Sequence, residues 1–256
     1  MADTALGDRR AMLLRHVGFA VLVLGTWEVY GRLGNPLILP PASGVFAALA
    51  DMTFGGPLPA ALWSSVKLLT IGFAVALASG FLLGVIVGRY KTMDRTLGPF
   101  LNALYATPTI ALVPIVLVWF GFELTGRVVV VFLASFFPVL INVYAGVRDA
   151  PLNLIEVARS FGVGSEFGLL RRVVIPAATP FIMAGIRLGI GRGVVGMAVA
   201  EVYLRLGGIG ALIVQYGASF QTDFLLAAIL PLPLLGIGLT KLFAYVERHY
   251  QYWRTV

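Results

Sequence analysis

The stretch VVVVFLASFFPVLINVYAGV, Val128 to Val147, runs for twenty residues without a charged side chain. As a helix it rises about 30 Å, the thickness of a bilayer's hydrocarbon core. The rest of the chain shares this character. Of its 256 residues 59% are hydrophobic, and 12% are Asp, Glu, Lys or Arg, against about a quarter charged in soluble domains. A single water-surrounded core of this size cannot bury so much apolar surface, so a bilayer is needed as a second apolar solvent. The expected class is an all-α membrane protein.

Outward from this stretch, six candidate spans are read: Val17 to Leu33, Leu62 to Gly88, Phe100 to Gly121, Val128 to Val147, Ala178 to Tyr203 and Phe224 to Val246. The second is longer than a perpendicular crossing needs and is expected to tilt or to project. The third, like the fourth, is free of charge. Preceded by Arg9, Arg10 and Arg15, the first also has the outline of a signal peptide. The bulky, charged segment Gly25-Thr26-Trp27-Glu28-Val29-Tyr30 is a poor cleavage site, which favours an uncleaved span.

The formal charge of +7 is spread between the apolar runs rather than gathered in one patch. That argues against nucleic acid as a partner and for positive cytoplasmic loops. With six crossings, Arg9, Arg10 and Arg15, then Arg89, Lys91 and Arg95, then Arg148, Arg159, Arg171 and Arg172, and finally Lys241, Arg248 and Arg254 fall on one side. Both termini are then cytoplasmic. The opposite loops hold Arg127 and Arg205. The chain has no cysteine, which excludes disulfides and thiolate chemistry. His16 and His249 lack companions at metal-ligand spacing, so no metal and no cofactor is expected on this chain.

Leu39-Pro40-Pro41-Ala42-Ser43 ends the first span. Ser43 is placed to cap a short outer helix, Val45 to Met52, and Gly55-Gly56-Pro57 with Pro59 closes it. There is no long polar linker or visible repeat. One domain, 1–256, is expected, with a tail and first span in 1–38 and a core of five spans in 39–256.

A second stretch, IEVARSFGVGSEFGLLRRVVIP (Ile155 to Pro176), interrupts the apolar runs. Asp149 is placed to cap a helix, with Pro151 in its first turn. Leu154, Val157, Ala158 and Phe161 recur at helical spacing on one face, and Glu156 and Arg159 lie toward another. Gly162 and Gly164 allow the positive φ that ends a helix. A second helical piece carries Leu169, Leu170, Val173 and Val174, with Arg171 and Arg172 at the membrane surface. Two readings stand on composition: an amphipathic connector resting on lipid headgroups, or a helix presented to a soluble partner's groove.

This stretch resembles the EAA loop of permease subunits of bacterial ATP-binding-cassette (ABC) importers: Glu156-Val157-Ala158, then Gly162, then Val173-Val174-Ile175-Pro176. The resemblance covers most of the chain from Leu39. It is carried also by LPPASGV (39–45), PIVLVWFGF (114–122), FFPVLINVYAGVRDAP (136–151), AGIRLGIGRG (184–193) and VAEVYLRLGGIGALI (199–213), and it is nearest the nitrate, sulfonate and taurine subgroup. There are departures. Val157 replaces an alanine, and Tyr105-Ala106-Thr107-Pro108 lacks an arginine before the proline that opens span three. The interval from Gly162 to Pro176 is one residue longer than usual, an excess expected in the Gly164-Ser165 turn.

The resemblance implies a type I ABC importer permease fold with six transmembrane helices and a coupling helix at 151–165. Leu154, Glu156, Val157, Ala158, Arg159, Phe161 and Gly162 would then dock on the ATPase. The implied partners are two ABC ATPase subunits, which hold the ATP and Mg, a second permease copy, most simply as a homodimer, and an extracytoplasmic substrate-binding protein. Membrane lipid surrounds the spans. The implied site is the bacterial inner membrane, and the implied role is alternating access for a small anionic or polar solute. The chain itself has no GxxxxGK[ST] loop and is not read as an enzyme.

Glu28, Lys67, Arg187, Arg192 and Glu201 lie in or near spans, where an unpaired charge is costly. Arg192 is nearest mid-span and is a candidate anion contact in a pathway, with an interhelical ion pair as the alternative. Arg187 lies nearer the cytoplasmic half. Glu201 is counted with the pathway candidates and is also expected to order the turn at Gly207 to Gly210, ahead of a re-entrant helix from Ala211 to Phe220. Gly185, Gly189, Gly193 and Gly196 follow the spacing that lets helices approach closely. Trp119 and Phe120 suit one interfacial belt, and Tyr252 and Trp253 the other. The competing function is a self-contained secondary transporter or channel. It would need coupling carboxylates, of which the spans offer Glu28 and Glu201.

Overall fold

The apolar runs fold as helices, and every regular element among the described residues is helical. The computed structural model describes residues 2–205 and 207–250, with side chains described at 12 and at 14–245 apart from 206. Tyr252, Trp253 and Arg254 lie outside the described residues.

In order, the helices are α1 (Ala2–Leu33), α2 (Ala42–Phe54), α3 (Leu58–Arg89), α4 (Lys91–Ala106), α5 (Val113–Phe120), α6 (Leu124–Arg148), α7 (Leu152–Ser160), α8 (Glu166–Leu169), α9 (Ile175–Leu204), α10 (Gly208–Ala218), α11 (Thr222–Ile229) and α12 (Pro231–Tyr250). Contacts divide the chain into two units, Met1–Ala61 with Leu212–Pro231 and Leu62–Ala211 with Leu232–Val256.

Among the described residues four helical runs are long and apolar enough to cross a membrane: Leu58–Arg89, Leu124–Arg148, Glu166–Leu204 and Thr222–Tyr245. The pair Lys91–Ala106 and Thr109–Phe120 makes a fifth if taken as one span, but it is bent by 86°. The expected sixth is not confirmed among the described residues. Among the described residues α1 offers no comparably apolar window, its described part carrying Arg15, His16, Glu28 and Arg32. The third expected span, Phe100 to Gly121, is likewise not one straight helix. Pro108 has no N–H and forces Thr107 into extended backbone (ψ 130°), which ends α4 there. A 3-10 turn, Thr109–Leu112, restarts the chain into α5.

The larger unit is organised around α6, whose most extensive partner is α9. The contact is set by glycine. A Cβ at Gly185 would come within 2.8 Å of Asn142 Cβ, at Gly189 within 2.8 Å of Val139 Cγ2, and at Gly196 within 2.6 Å of Ala134 Cβ. A second stripe, which the sequence reading had not singled out, lies on α3. A Cβ at Gly72 would meet Val131 at 2.6 Å, at Gly84 Val143 at 2.8 Å, and at Gly88 the Tyr144 carbonyl at 2.7 Å. Helix α6 therefore lies between two glycine-lined helices. Without a hydrophobic drive between helices in lipid, such close approach supplies the van der Waals contact that holds them. Val113, Val116 and Leu117 of α5 pack with Val130, Ala200 and Leu204 on the same assembly.

In the smaller unit, α2 buries Val45, Ala48 and Met52 with Ala227 and Ala228 of α11. Ser43 does not cap α2, since Pro41 occupies that position. Ser43 lies inside the first turn, where its N–H (2.9 Å) and hydroxyl (2.8 Å) donate to the Glu28 carboxylate. Arg32 Nε donates to the same carboxylate at 2.6 Å. An acidic group against the first turn of α2 suits that end of the helix dipole.

Candidate functional site

Helix α7 begins at Leu152, its cap two residues beyond the expected Asp149. Pro151 is the N-cap itself, in extended backbone (φ −60°, ψ 121°), without a side-chain cap. Asp149 is occupied elsewhere: it closes α6 and accepts from Arg148 Nε at 2.9 Å. The other end forms where expected. The Val163 N–H bonds the Ala158 carbonyl and the Gly162 N–H the Arg159 carbonyl, each at 3.0 Å. Gly162 takes φ +85°, the left-handed conformation that closes a helix most cheaply with glycine. Gly164 is not in that region.

Ile155 is buried and anchors α7 in a core that includes Val143, Val147, Leu169 and Val174, with Ala158 packed at its edge. Leu154 (46% exposed), Val157 (53%) and Phe161 (85%) point away from it, so α7 carries a second, uncovered apolar face. Glu156 is exposed and enters no ion pair among the described residues. Glu156 and Arg159, three positions apart, do not pair with each other. Arg159 instead reaches Glu166 at 3.5 Å, and the other oxygen of Glu166 is bonded by Arg89 at the end of α3. Glu166 opens α8, capped by Ser165, whose hydroxyl accepts the Gly168 N–H at 3.1 Å. Glu166 was missed in the sequence because its partner Arg89 is 77 positions away.

Beyond α8 the chain widens into a π turn, Leu170–Val174, and continues as α9. Pro176 lies in the first turn of α9. Its missing N–H and its ring disturb ordinary helical bonding one turn back, and the wider turn takes up the mismatch. The additional residue expected in the Gly164-Ser165 turn therefore has a second place to be absorbed, inside the helix at 170–174.

On the other flank of α7, Tyr144 donates to Asp94 of α4, and Arg148 Nη1 donates to the Tyr144 oxygen at 3.0 Å. Arg148 also lies over the Tyr144 ring, 5.0 Å from its centroid. These contacts tie the first turn of α4 to the end of α6, just before the chain enters α7.

Three candidate pathway residues fall in three settings. Arg192 is exposed and lines a cavity of about 240 Å³ with Tyr105, Thr107, Thr109 and Phe137. The wall opposite Arg192 is the break between α4 and α5. Arg187 is half-buried and engaged with neighbours. Glu201 is fully buried: its carboxylate accepts the Ser65 hydroxyl at 2.7 and 2.9 Å and the Gly210 N–H at 3.0 Å. It braces the turn at 207–210, and α10 starts at Gly208, earlier than the expected Ala211. Among the described residues no cluster of His, Asp or Glu has metal-binding geometry.

Comparison with known proteins identifies the family. Residues 80–252 match the family model of the binding-protein-dependent transport system inner membrane component. The chain is 33% identical over 216 residues to the "Putative aliphatic sulfonates transport permease protein SsuC" of Escherichia coli (strain K12), covering 84% of this chain and 82% of that one. It is 29% identical to the taurine transport system permease protein TauC of the same organism (91% and 87% covered). It is also 29% identical to the formylaminopyrimidine transport permease protein ThiX of Halalkalibacterium halodurans (86% and 87% covered). A chain of the MetNI methionine ABC transporter in inward-facing conformations covers 82% of this chain and 99% of its own length, with a TM-score of 0.49 and 20% identity. An ABC permease is a transport subunit, and ATP hydrolysis lies in its partner subunits. The chain belongs to the family of inner membrane components of binding-protein-dependent transport systems, with the type I ABC importer permease fold.

Proposed function

We propose that this permease takes its energy from two ABC ATPase subunits docked on residues 151–165, and moves its solute by alternating access. The observation that carries this reading is the uncovered apolar face of α7, Leu154, Val157 and Phe161, on a helix terminated by Gly162 and anchored from behind by Ile155. A short helix seated in a partner's groove follows that partner's closure as a rigid body. Glu156 and Arg159, both exposed, supply polar contacts at the rim of this face, and Ala158 its inner edge.

The positive loops support an orientation with both termini and α7 in the cytoplasm. Two copies of the chain form the pathway, and an extracytoplasmic binding protein delivers the solute; ATP and Mg reside in the ATPase. Arg187 and Arg192 are proposed along the pathway, whereas Glu201, fully buried against Ser65 and Gly210, does not face one and serves the 207–210 turn. The cavity at Arg192, with the Thr109 hydroxyl on its wall, supports a small anionic or polar solute of the sulfonate or taurine type.

The test is co-purification of the solubilised chain with its ATPase, then solute-stimulated ATP hydrolysis by a Glu156→Lys, Gly162→Trp double variant. The expected result is loss of stimulation together with weakened co-purification. Undiminished stimulation in the assembled complex would overturn the docking assignment.

A further inference from the structure

Three charged groups from three elements meet beside the candidate docking helix. Arg89 is in the last turn of α3, Arg159 in the last turn of α7, and Glu166 opens α8. Each oxygen of the Glu166 carboxylate serves one arginine: Oε2 accepts from Arg89 Nη2, and Oε1 from Arg159 Nη2 at 3.5 Å. The Arg89 side chain is only 21% exposed, and its Nε is buried without a hydrogen-bond partner. Glu166 is therefore the nearest compensation for a largely desolvated cation. Its own position is fixed by Ser165, which caps α8, and by Leu169, which is fully buried. Behind these charges, Ile155 of α7 shares an apolar core with Val147 of α6 and with Phe81 and Val85 of α3, which gives contact without a directed bond.

We propose that Glu166 is a positioning residue that carries displacement of α7 to the end of α3, so that closure of the ATPase tilts α3 as well as the spans joined to α7 by the chain. This rests on the docking reading given above. Half-exposed ion pairs add little to stability. Their effect here is directional: they fix the distance between two helix ends that no covalent segment joins. Loss of the Glu166 charge leaves Arg89 partly buried and unpaired, which favours its withdrawal toward water and frees α3 from α7.

The absence of cysteine allows a single label without background. Val75 lies exposed on α3, and a nitroxide on Val75→Cys reports the environment of that helix. The full chain, assembled with its ATPase in liposomes, is compared without nucleotide and with ATP and vanadate. A nucleotide-dependent spectral change is expected in the parent. In Glu166→Gln it falls about five-fold, the equivalent of losing one such ion pair, while Glu166→Asp, which keeps the charge, retains most of it. The proposal is overturned if the parent shows no change at position 75, if Glu166→Gln keeps the full change, or if Asp behaves like Gln. Loss of ATPase co-purification by Glu166→Gln also overturns it, because the residue then serves folding or docking. Failure of the docking reading is separately visible: a Leu154→Asp, Phe161→Asp variant would still co-purify with the ATPase.

Discussion

Ser65 on α3 and Glu201 on α9, 136 positions apart, share a hydrogen bond in which the Ser65 hydroxyl lies 2.7 Å and 2.9 Å from the two carboxylate oxygens. Both side chains are fully buried. The Ser65 oxygen also accepts the Ile209 N–H at 2.9 Å, and Glu201 accepts the Gly210 N–H at 3.0 Å. Two helices and one turn are thereby closed into a single polar knot.

Removing the carboxylate leaves donors without acceptors in a dry site. Glu201→Ala is expected to destabilise by about 2–4 kcal/mol, from one or two unsatisfied buried groups at about 1–3 kcal/mol each. Ser65→Ala is expected to cost less, because Gly210 keeps its acceptor. Thermal unfolding in detergent, with the two variants side by side, checks the order.

Gly208 meets the same knot from the backbone. Its φ is +81°, and a Cβ there would fall on the Glu201 carboxylate. Gly208→Ala should therefore combine left-handed strain of about 1 kcal/mol with displacement of a buried charge. Its unfolding temperature should fall at least as far as that of Ser65→Ala.

The two glycines of the EAA-like loop are expected to separate. Gly162 has φ +85° with open space where a Cβ would go, while Gly164 has equal space and no positive φ. Gly162→Ala should cost about 1 kcal/mol, from backbone conformation alone, and Gly164→Ala should be near neutral. ATPase co-purification and thermal unfolding of the two single variants measure the contrast. Equal behaviour would show that the left-handed turn does not end α7.

Packing makes a parallel contrast along α9. Gly185→Leu drives a side chain into Asn142 and the Val139 carbonyl, whereas Gly191→Leu meets nothing within 4 Å. Overpacking costs about 1–3 kcal/mol or more, and replacing glycine in a helix recovers up to about 1 kcal/mol. Gly185→Leu should express poorly or aggregate. Gly191→Leu should express at the parental level, as size-exclusion profiles will show.

Arg192 tests the solute reading. Arg192→Gln removes the charge from the cavity beside Thr107 and Thr109. It is expected to lower uptake of taurine or a simple alkanesulfonate by about ten-fold or more, since a charge-assisted hydrogen bond contributes about 1.5–3 kcal/mol. Arg192→Lys should recover part of the loss. Uptake by proteoliposomes of the assembled transporter is the measurement.

The sequence by itself determined the membrane class, the extent of most long helices and the end of α7 at Gly162, while the break at Thr107-Pro108 fell inside what reads as one apolar span. The first three follow from properties acting over a few residues: hydropathy along a run and the permissive φ of glycine. Even the role of Glu201 at the 207–210 turn was legible, since the two are neighbours in the chain. Local signals misled where a distant group competed. Ser43 looked like a cap, but it donates instead to Glu28, 15 positions away. Only the tertiary structure decided that the glycines of α3 and α9 both face α6, that Ser65 is the partner of Glu201, and that Arg89 meets Glu166. Each depends on which helix faces come together, and in lipid that choice is made by close packing and pairwise polar bonds rather than by the apolar periodicity of any one segment.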